Sequence, residues 1–326
     1  MDLLASDPEL EAALAQAMER VEDSLHEAIK SDYPFVTETS AHLVDAGGKR
    51  FRPLLTLLAA QFGDPDLPEV TAAAVVVELT HLATLYHDDV MDEAPMRRGA
   101  ASANARWDNS IAILTGDFLF ARASDILADL GPQAVRIQAR TFERLCIGQI
   151  RETVGPVGEA DPVQHHLQVL ADKTGSLIAT AGQFGAMLSG ADELTIEVLT
   201  KFGEAIGVAF QLADDLVDIT SESEQSGKTP GTDLREGVPT LAALVALSSQ
   251  DPADARLRQL LSGPLPDAAE HAEALALLRA HPAVEQARVE ARRWADDARK
   301  SLIELPAGAA REALEQLCDY VVSRTG

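Results

Sequence analysis

Three features of the sequence predict an all-α fold. Ala and Leu dominate a composition that is 46% hydrophobic but only 4% aromatic. Both residues lose little entropy in a helix, whereas strand-forming aromatics are scarce. Turn signals centred on Gly and Pro cut the chain into pieces of helical length. Towards the C-terminus Val284, Ala287, Ala291, Ala295, Ala298 and Leu302 recur at helical spacing, with Arg292, Arg293 and Lys300 between them. That is the pattern of an amphipathic helix with one solvated face.

From the N-terminus, Gly63-Asp64-Pro65-Asp66-Leu67-Pro68 separates an early helix from a long one over about Val70 to Asp92. Pro95 and Gly99 open a polar connection through Asn104 and Asn109, and helix resumes near Ser110. Gly155-Pro156-Val157-Gly158 and Asp161-Pro162 mark a mid-chain break. Helical patterning then runs to Ser189-Gly190 and again from Asp192 to Asp218. Ser221 to Gly237 reads as a loop, and Asp251-Pro252, Gly263-Pro264 and Pro306 punctuate shorter helices. No low-complexity linker and no internal repeat divides the chain, so residues 1–326 are expected to form a single all-helical domain.

Twenty-seven Lys+Arg against 52 Asp+Glu leave a net charge of −25 at pH 7. This argues against nucleic acid or anionic lipid as a direct partner, because both require a basic footprint. Cys146 and Cys318 offer neither a disulfide framework nor a CxxC metal site and read as small core hydrophobes. The first residues lack the basic region of a signal peptide, and the longest apolar run, Ala72 to Val77, is far shorter than the ~20 residues of a membrane span. A cytoplasmic protein is expected. His165-His166 reads as surface polarity, and Trp107 and Trp294 as packing anchors.

One acidic pattern occurs twice. Asp88-Asp89-Val90-Met91-Asp92 and Asp214-Asp215-Leu216-Val217-Asp218 are both D-D-x-x-D, each ending an apolar helical run. The first and last Asp share a helix face at i and i+4, with the middle one beside them. At ~4 Å and an effective dielectric of ~20, each like-charged pair costs about 4 kcal/mol. The helix C-terminus also disfavours anions. A hard divalent cation reverses that cost, and Mg²⁺ takes oxygen ligands. The bland alternative is a solvated, frayed helix end, which the duplication makes harder to sustain. Val77, His81, Thr84, Asp88 and Asp92 form one stripe, and Gly207, Gln211, Asp214 and Asp218 another. Polar residues on otherwise apolar faces suggest a cavity between helices.

The scarce cations are grouped. Gly47-Gly48-Lys49-Arg50-Phe51-Arg52-Pro53 sets three of them beside two glycines at a loop-to-helix junction, with Pro53 suited to a first helical position. Arg97-Arg98-Gly99 follows the first acidic cluster, and Lys173-Thr174-Gly175 and Lys228 complete the set. Guanidinium suits bidentate phosphate contacts, whereas Lys acts as a point charge.

These motifs, with the stretches His81 to Asp92 and Phe210 to Asp218, resemble those of the trans-isoprenyl diphosphate synthases (polyprenyl synthetases). The likeness is to the long-chain type, such as bacterial heptaprenyl and octaprenyl diphosphate synthases. It runs in the family's order over roughly residues 40 to 240. It implies an antiparallel helix bundle around a deep central cavity, usually a homodimer. The implied reaction is head-to-tail (1′-4) condensation of isopentenyl diphosphate onto an allylic diphosphate. Carried over residue by residue, Asp88, Asp92 and Asp214 would bind Mg²⁺, with Asp89, Asp215 and Asp218 supporting them or holding metal-bound water. Lys49, Arg52, His81 and Arg98 would hold isopentenyl diphosphate. Arg97, Lys173, Gln211 and Lys228 would hold the allylic diphosphate, with Thr174 and Gln211 near the developing cation. The sequence departs from many relatives at Val238, where a second Lys is expected and for which Arg235 could compensate.

The chemistry follows from charge. Ionising the allylic C–O bond leaves an anionic diphosphate, to be stabilised by metal and by Arg and Lys, and a carbocation to be kept from water. The Ser221–Gly237 loop with Lys228 inside it is the expected lid. Small residues ahead of the first cluster, Thr80, Ala83 and Thr84, leave room for a growing tail and favour a long all-trans product, such as a quinone side-chain precursor. The alternatives are a geranylgeranyl or farnesyl diphosphate synthase, an HD-type phosphohydrolase built on His87-Asp88, a terpene cyclase, and a non-catalytic subunit of a heteromeric synthase.

Overall fold

The computed structural model describes residues 7–158, 160–221 and 230–324. They fall into two compact units, one of residues 1–142, 177–200 and 304–313, the other of residues 143–176, 201–303 and 314–326. Among the described residues the fold is helical apart from one two-strand hairpin.

The first unit begins with α1 (Pro8–Ala28), where the Asp7 carboxylate accepts from the backbone of Glu9 and Leu10 and Pro8 opens the helix. α2 (Pro34–Asp45), α3 (Phe51–Ala60) and α4 (Pro68–Met91) follow. α4 is apolar nearly all round because it is enclosed, packing against α1, α3 and α6 (Asn109–Leu130). By length and mean hydropathy it could cross a membrane, yet 67% of that stretch is buried inside the protein, as in a core helix. It stops in a Schellman turn: Ala94 N–H donates to the Asp89 carbonyl at 3.0 Å while Glu93 takes a positive φ of 50°.

The segment between α4 and α6 is more ordered than its polar sequence suggests. β1 (Met96–Arg97) pairs antiparallel with β2 (Ala100–Ala101), and α5 (Ala103–Arg106) follows. Arg98 and Gly99, both at positive φ, make the two-residue turn. A further break, not anticipated in the sequence, separates α6 from α7 (Pro132–Val154) at Gly131, which has φ 98°. Phe51 rather than Pro53 opens α3; Pro53 sits in the first turn, where its missing N–H is harmless.

In the second unit α8 (Pro162–Leu170) runs into a π-turn at Ala171–Gly175; α9 (Ser176–Leu188) then lies in the first unit from Leu177 on, and α10 (Glu193–Thr220) belongs to the second from Lys201 on. Then come α11 (Thr232–Glu236), α12 (Leu241–Leu247), α13 (Ala255–Leu260), α14 (Ala268–Ala280), α15 (Pro282–Ser301) and α16 (Ala309–Ser323). The Val284–Leu302 stripe is buried throughout, as its period requires. Its Val284, Ala287 and Ala291 join a core with Leu212, Leu216, Leu241 and Leu278, against which Trp294 packs. Trp107 likewise packs, edge-on to Phe35 and His42. Cys318 is buried as expected, but Cys146 is exposed on α7.

Helix packing in the first unit depends on close backbone approach. A Cβ on Gly185 would lie 2.1 Å from the Thr56 carbonyl oxygen. Gly185→Ala should therefore force α3 and α9 apart and lower the unfolding free energy by about 2 kcal/mol, read by urea denaturation. A stability equal to that of the parent would contradict the packing.

Candidate active site

The first acidic cluster occupies the last turn of α4 and the Schellman turn behind it. Asp88 is half-buried, Asp89 fully buried and Asp92 exposed. The hairpin folds Arg97 back so that its Nε donates to Asp89 Oδ1 at 2.6 Å. The other oxygen, Oδ2, has no hydrogen-bond partner. Burial raises the Asp89 pKa despite the neighbouring guanidinium.

The phosphate-type cations of this unit lie around the Gly47–Pro53 loop. Arg98 Nη1 donates to the Leu43 carbonyl at 2.8 Å and also to the Gly47 carbonyl. A Cβ at Gly48 would come within 2.9 Å of the Arg98 guanidinium, so the loop must lie flat over it. Burial, then the nearby Arg98, holds Arg52 down to about 10, partly countered by Glu78; its Nε has no partner. Burial and the charges of Arg52 and Arg98 push His81 well below the usual imidazole range. His81 is therefore neutral at physiological pH, one ring N–H available to donate. Lys49 is exposed.

Product-length candidates sit on the same helix. Ala83 and Thr80 are fully buried, Thr84 half-buried. Thr80 Oγ1 accepts from Gln138 Nε2 of α7 at 2.7 Å.

In the second unit the π-turn carries Lys173 and Thr174. Ser176 N–H reaches back to the Ala171 carbonyl, and Gly148 of α7 approaches so closely that a Cβ there would lie 2.7 Å from Lys173 N. Lys173 Nζ donates to Glu152 Oε2 at 2.5 Å. Asp172 turns the other way, accepting from Arg144 Nε and Gln168 Nε2 at 3.0 Å and from Arg151. Thr174 Oγ1 donates to Gln211 Oε1 at 3.3 Å, and Gln211 Nε2 donates to Asp215 Oδ1 at 3.0 Å.

The second acidic cluster ends α10. Burial, then repulsion from Asp233, raises Asp215 well above the carboxylate range. Asp214 pairs with Arg324, whose guanidinium also lies 4.9 Å over the Phe210 ring. Asp218 accepts from Thr232 N and Asp233 N at 3.2 Å and so caps α11. Lys228 lies outside the described residues, as do all of residues 222–229. Arg235 directs Nη2 to His271 Nδ1 at 3.5 Å.

Among the described residues no three metal-type side chains already converge on one point. The donors nonetheless suit Mg²⁺: hard carboxylate oxygens at i and i+4, with one buried and orphaned Asp89 oxygen beside them. Arg324, Glu152 and Glu78 escaped the sequence reading because their partners are distant in the chain; Asp214 and Arg324 are 110 residues apart.

A family model described as Polyprenyl synthetase matches residues 33–278. Nonaprenyl diphosphate synthase of Mycobacterium tuberculosis is 52% identical, covering 97% of this chain and 94% of its own. The crystal structure of geranylgeranyl pyrophosphate synthase from Corynebacterium glutamicum, complexed with calcium and isoprenyl diphosphate, superposes with a TM-score of 0.89. It is 48% identical and covers 98% of this chain and 99% of its own. A decaprenyl diphosphate synthase from Rhodobacter capsulatus reaches a TM-score of 0.88 at 37% identity, over 98% and 99% of the two chains.

His166 corrects the expectation of surface polarity. It is buried, with Nε2 3.8 Å from Asp215 Oδ2. Burial, then the neighbouring His165, pushes its imidazole down to about 4. The unfolded chain then binds a proton that the folded chain refuses between about pH 6.5 and 4. Its contribution is thus neutral above that window and increasingly destabilising as pH falls through it. Replacing His166 with Gln should flatten the loss of stability between pH 7 and pH 5 by about 2 kcal/mol in metal-free urea titrations. Identical slopes in the two proteins would show that the imidazole is not held neutral.

Proposed function

The chain belongs to the polyprenyl synthetase family, and on that footing we propose a division of labour among its residues and a long product. The protein is a Mg²⁺-dependent prenyltransferase that condenses isopentenyl diphosphate with an allylic diphosphate. In our reading Asp88, Asp92 and Asp214 hold Mg²⁺, and Asp89, Asp215 and Asp218 keep them in place. When bound, the metal supplies Lewis-acid neutralisation of diphosphate charge.

The remaining steps belong to the chain's own groups. Lys49, Arg52, His81 and Arg98 take up isopentenyl diphosphate; a neutral His81 suits an N–H donor to a phosphate oxygen. Arg97, Lys173 and Lys228 hold the allylic diphosphate and stabilise charge as the C–O bond ionises. Thr174 and Gln211, joined to each other and to Asp215, direct oxygen lone pairs towards the carbocation. The alkene of isopentenyl diphosphate attacks, and the departing diphosphate accepts the proton released. Residues 1–326 act as one catalytic domain, a reading supported by near full-length likeness to the enzymes above.

Product length rests on Thr80, Ala83 and Thr84, whose small side chains leave no aromatic floor before Asp88. The 52% identity to a nonaprenyl synthase supports a long chain of the quinone side-chain type. The 48% identity to a geranylgeranyl synthase supports the shorter alternative. Incubating the purified chain with Mg²⁺, labelled isopentenyl diphosphate and farnesyl diphosphate should give products longer than geranylgeranyl diphosphate. Thr84→Phe, at a half-buried site, should shorten them. Chromatography that shows only the C20 product would end the long-chain reading; an unchanged ladder in the variant would remove Thr84 from the path.

We likewise propose a homodimer, supported by Ile113 and Leu114, which stand 42% and 62% exposed side by side on α6. Sedimentation at the monomer mass would refute it.

A further inference from the structure

Three cations crowd the Gly47–Pro53 loop, but only Lys49 and Arg52 have a role in the reaction; Arg50 turns inward. It is 8% exposed and sits as the N-cap of α3 at a φ of 47°, a left-handed conformation unfavourable for an L residue that carries a Cβ. Its guanidinium joins three helices. Nε and Nη2 fork onto the two carboxylate oxygens of Glu22 on α1, at 2.5 and 3.1 Å. Nη1 donates to Glu78 Oε1 on α4 at 2.9 Å, and Glu78 is 2% exposed. Nη2 also reaches the Val44 carbonyl in the last turn of α2 at 3.1 Å, and Nη1 the Gly47 carbonyl at 3.4 Å.

We infer that Arg50 is a positioning residue for isopentenyl diphosphate: it fixes the backbone from which Lys49 and Arg52 project and seats that backbone on Arg98. The inference rests on the assignment of Lys49, Arg52, His81 and Arg98 to that substrate. Both Arg50 and Arg98 donate to the same carbonyl, that of Gly47, so the loop is gripped from two sides. Glu78 is the buried anion beside Arg50, and its charge also favours the protonated forms of Arg52 and Arg98. A lysine could not replace this pattern, because a point charge makes no planar fork to Glu22 while also reaching Glu78. A loose loop would present its two cations over a range of positions, and only the substrate that they hold would bind less well.

The test is steady-state kinetics of Arg50→Lys. The KM for isopentenyl diphosphate should rise about tenfold, while kcat and the KM for farnesyl diphosphate stay within about twofold. Glu22→Gln, at a partner 34% exposed where the neutral amide stays solvated, should raise the same KM about threefold. A fall in kcat with both KM values unchanged, tracking the folded fraction in thermal melts, would reduce Arg50 to a structural ion pair and overturn the inference. So would unchanged kinetics in both variants, or a rise in the farnesyl diphosphate KM instead. Arg52→Met serves as the separate control: if it leaves the isopentenyl diphosphate KM unaltered, the subsite assignment itself fails.

Discussion

Holding like charges together at partly buried helix ends is the constraint that organises this protein. Neither acidic cluster nor cation loop could stand alone at the ends of buried helices, where the dielectric is low and the helix dipole often adverse. The folded chain meets the problem with internal counter-charges. Arg97 lies on Asp89, Arg324 on Asp214, Glu152 on Lys173 and Glu78 on Arg50. A protein with a net charge of −25 can handle anionic substrates because these few cations are built in at fixed places rather than spread over its surface.

The same arrangement separates groups by the company they keep. Asp89 and Asp215, the middle carboxylates of the two motifs, are drawn into protein contacts with Arg97 and Gln211 and titrate upward through burial. Asp218 spends its acceptors on the backbone of α11. Two chemically identical D-D-x-x-D runs thus differ in what surrounds them, the first ending in a tight turn and the second capping another helix.

Much of this was legible in the chain. The helices, their amphipathic faces, the two acidic runs and the cation groups are all local patterns, set by a period of 3.6 and by Gly and Pro. What escaped reading depends on tertiary proximity. His165 and His166 look alike in sequence, yet α8 turns the second into the core. Cys146 looks like a core residue but lies on an outward face of α7. The hairpin at Met96–Ala101 and the break at Gly131 had a local signal in Gly99 and in Gly131-Pro132, glycines that the structure places at positive φ. The partnership of Asp214 with Arg324 had none.

The widened turn at Ala171–Gly175 carries one more lesson. A π-turn holds one residue more than the α-helix it interrupts, and each residue of an α-helix advances the side-chain direction by about 100°. Lys173 reaches Glu152, and Thr174 reaches Gln211, only because that surplus residue is present. Loss of any one residue there would rotate lysine and threonine out of phase with their partners together. The length of this turn is thus a constraint separate from the chemistry of the residues it carries.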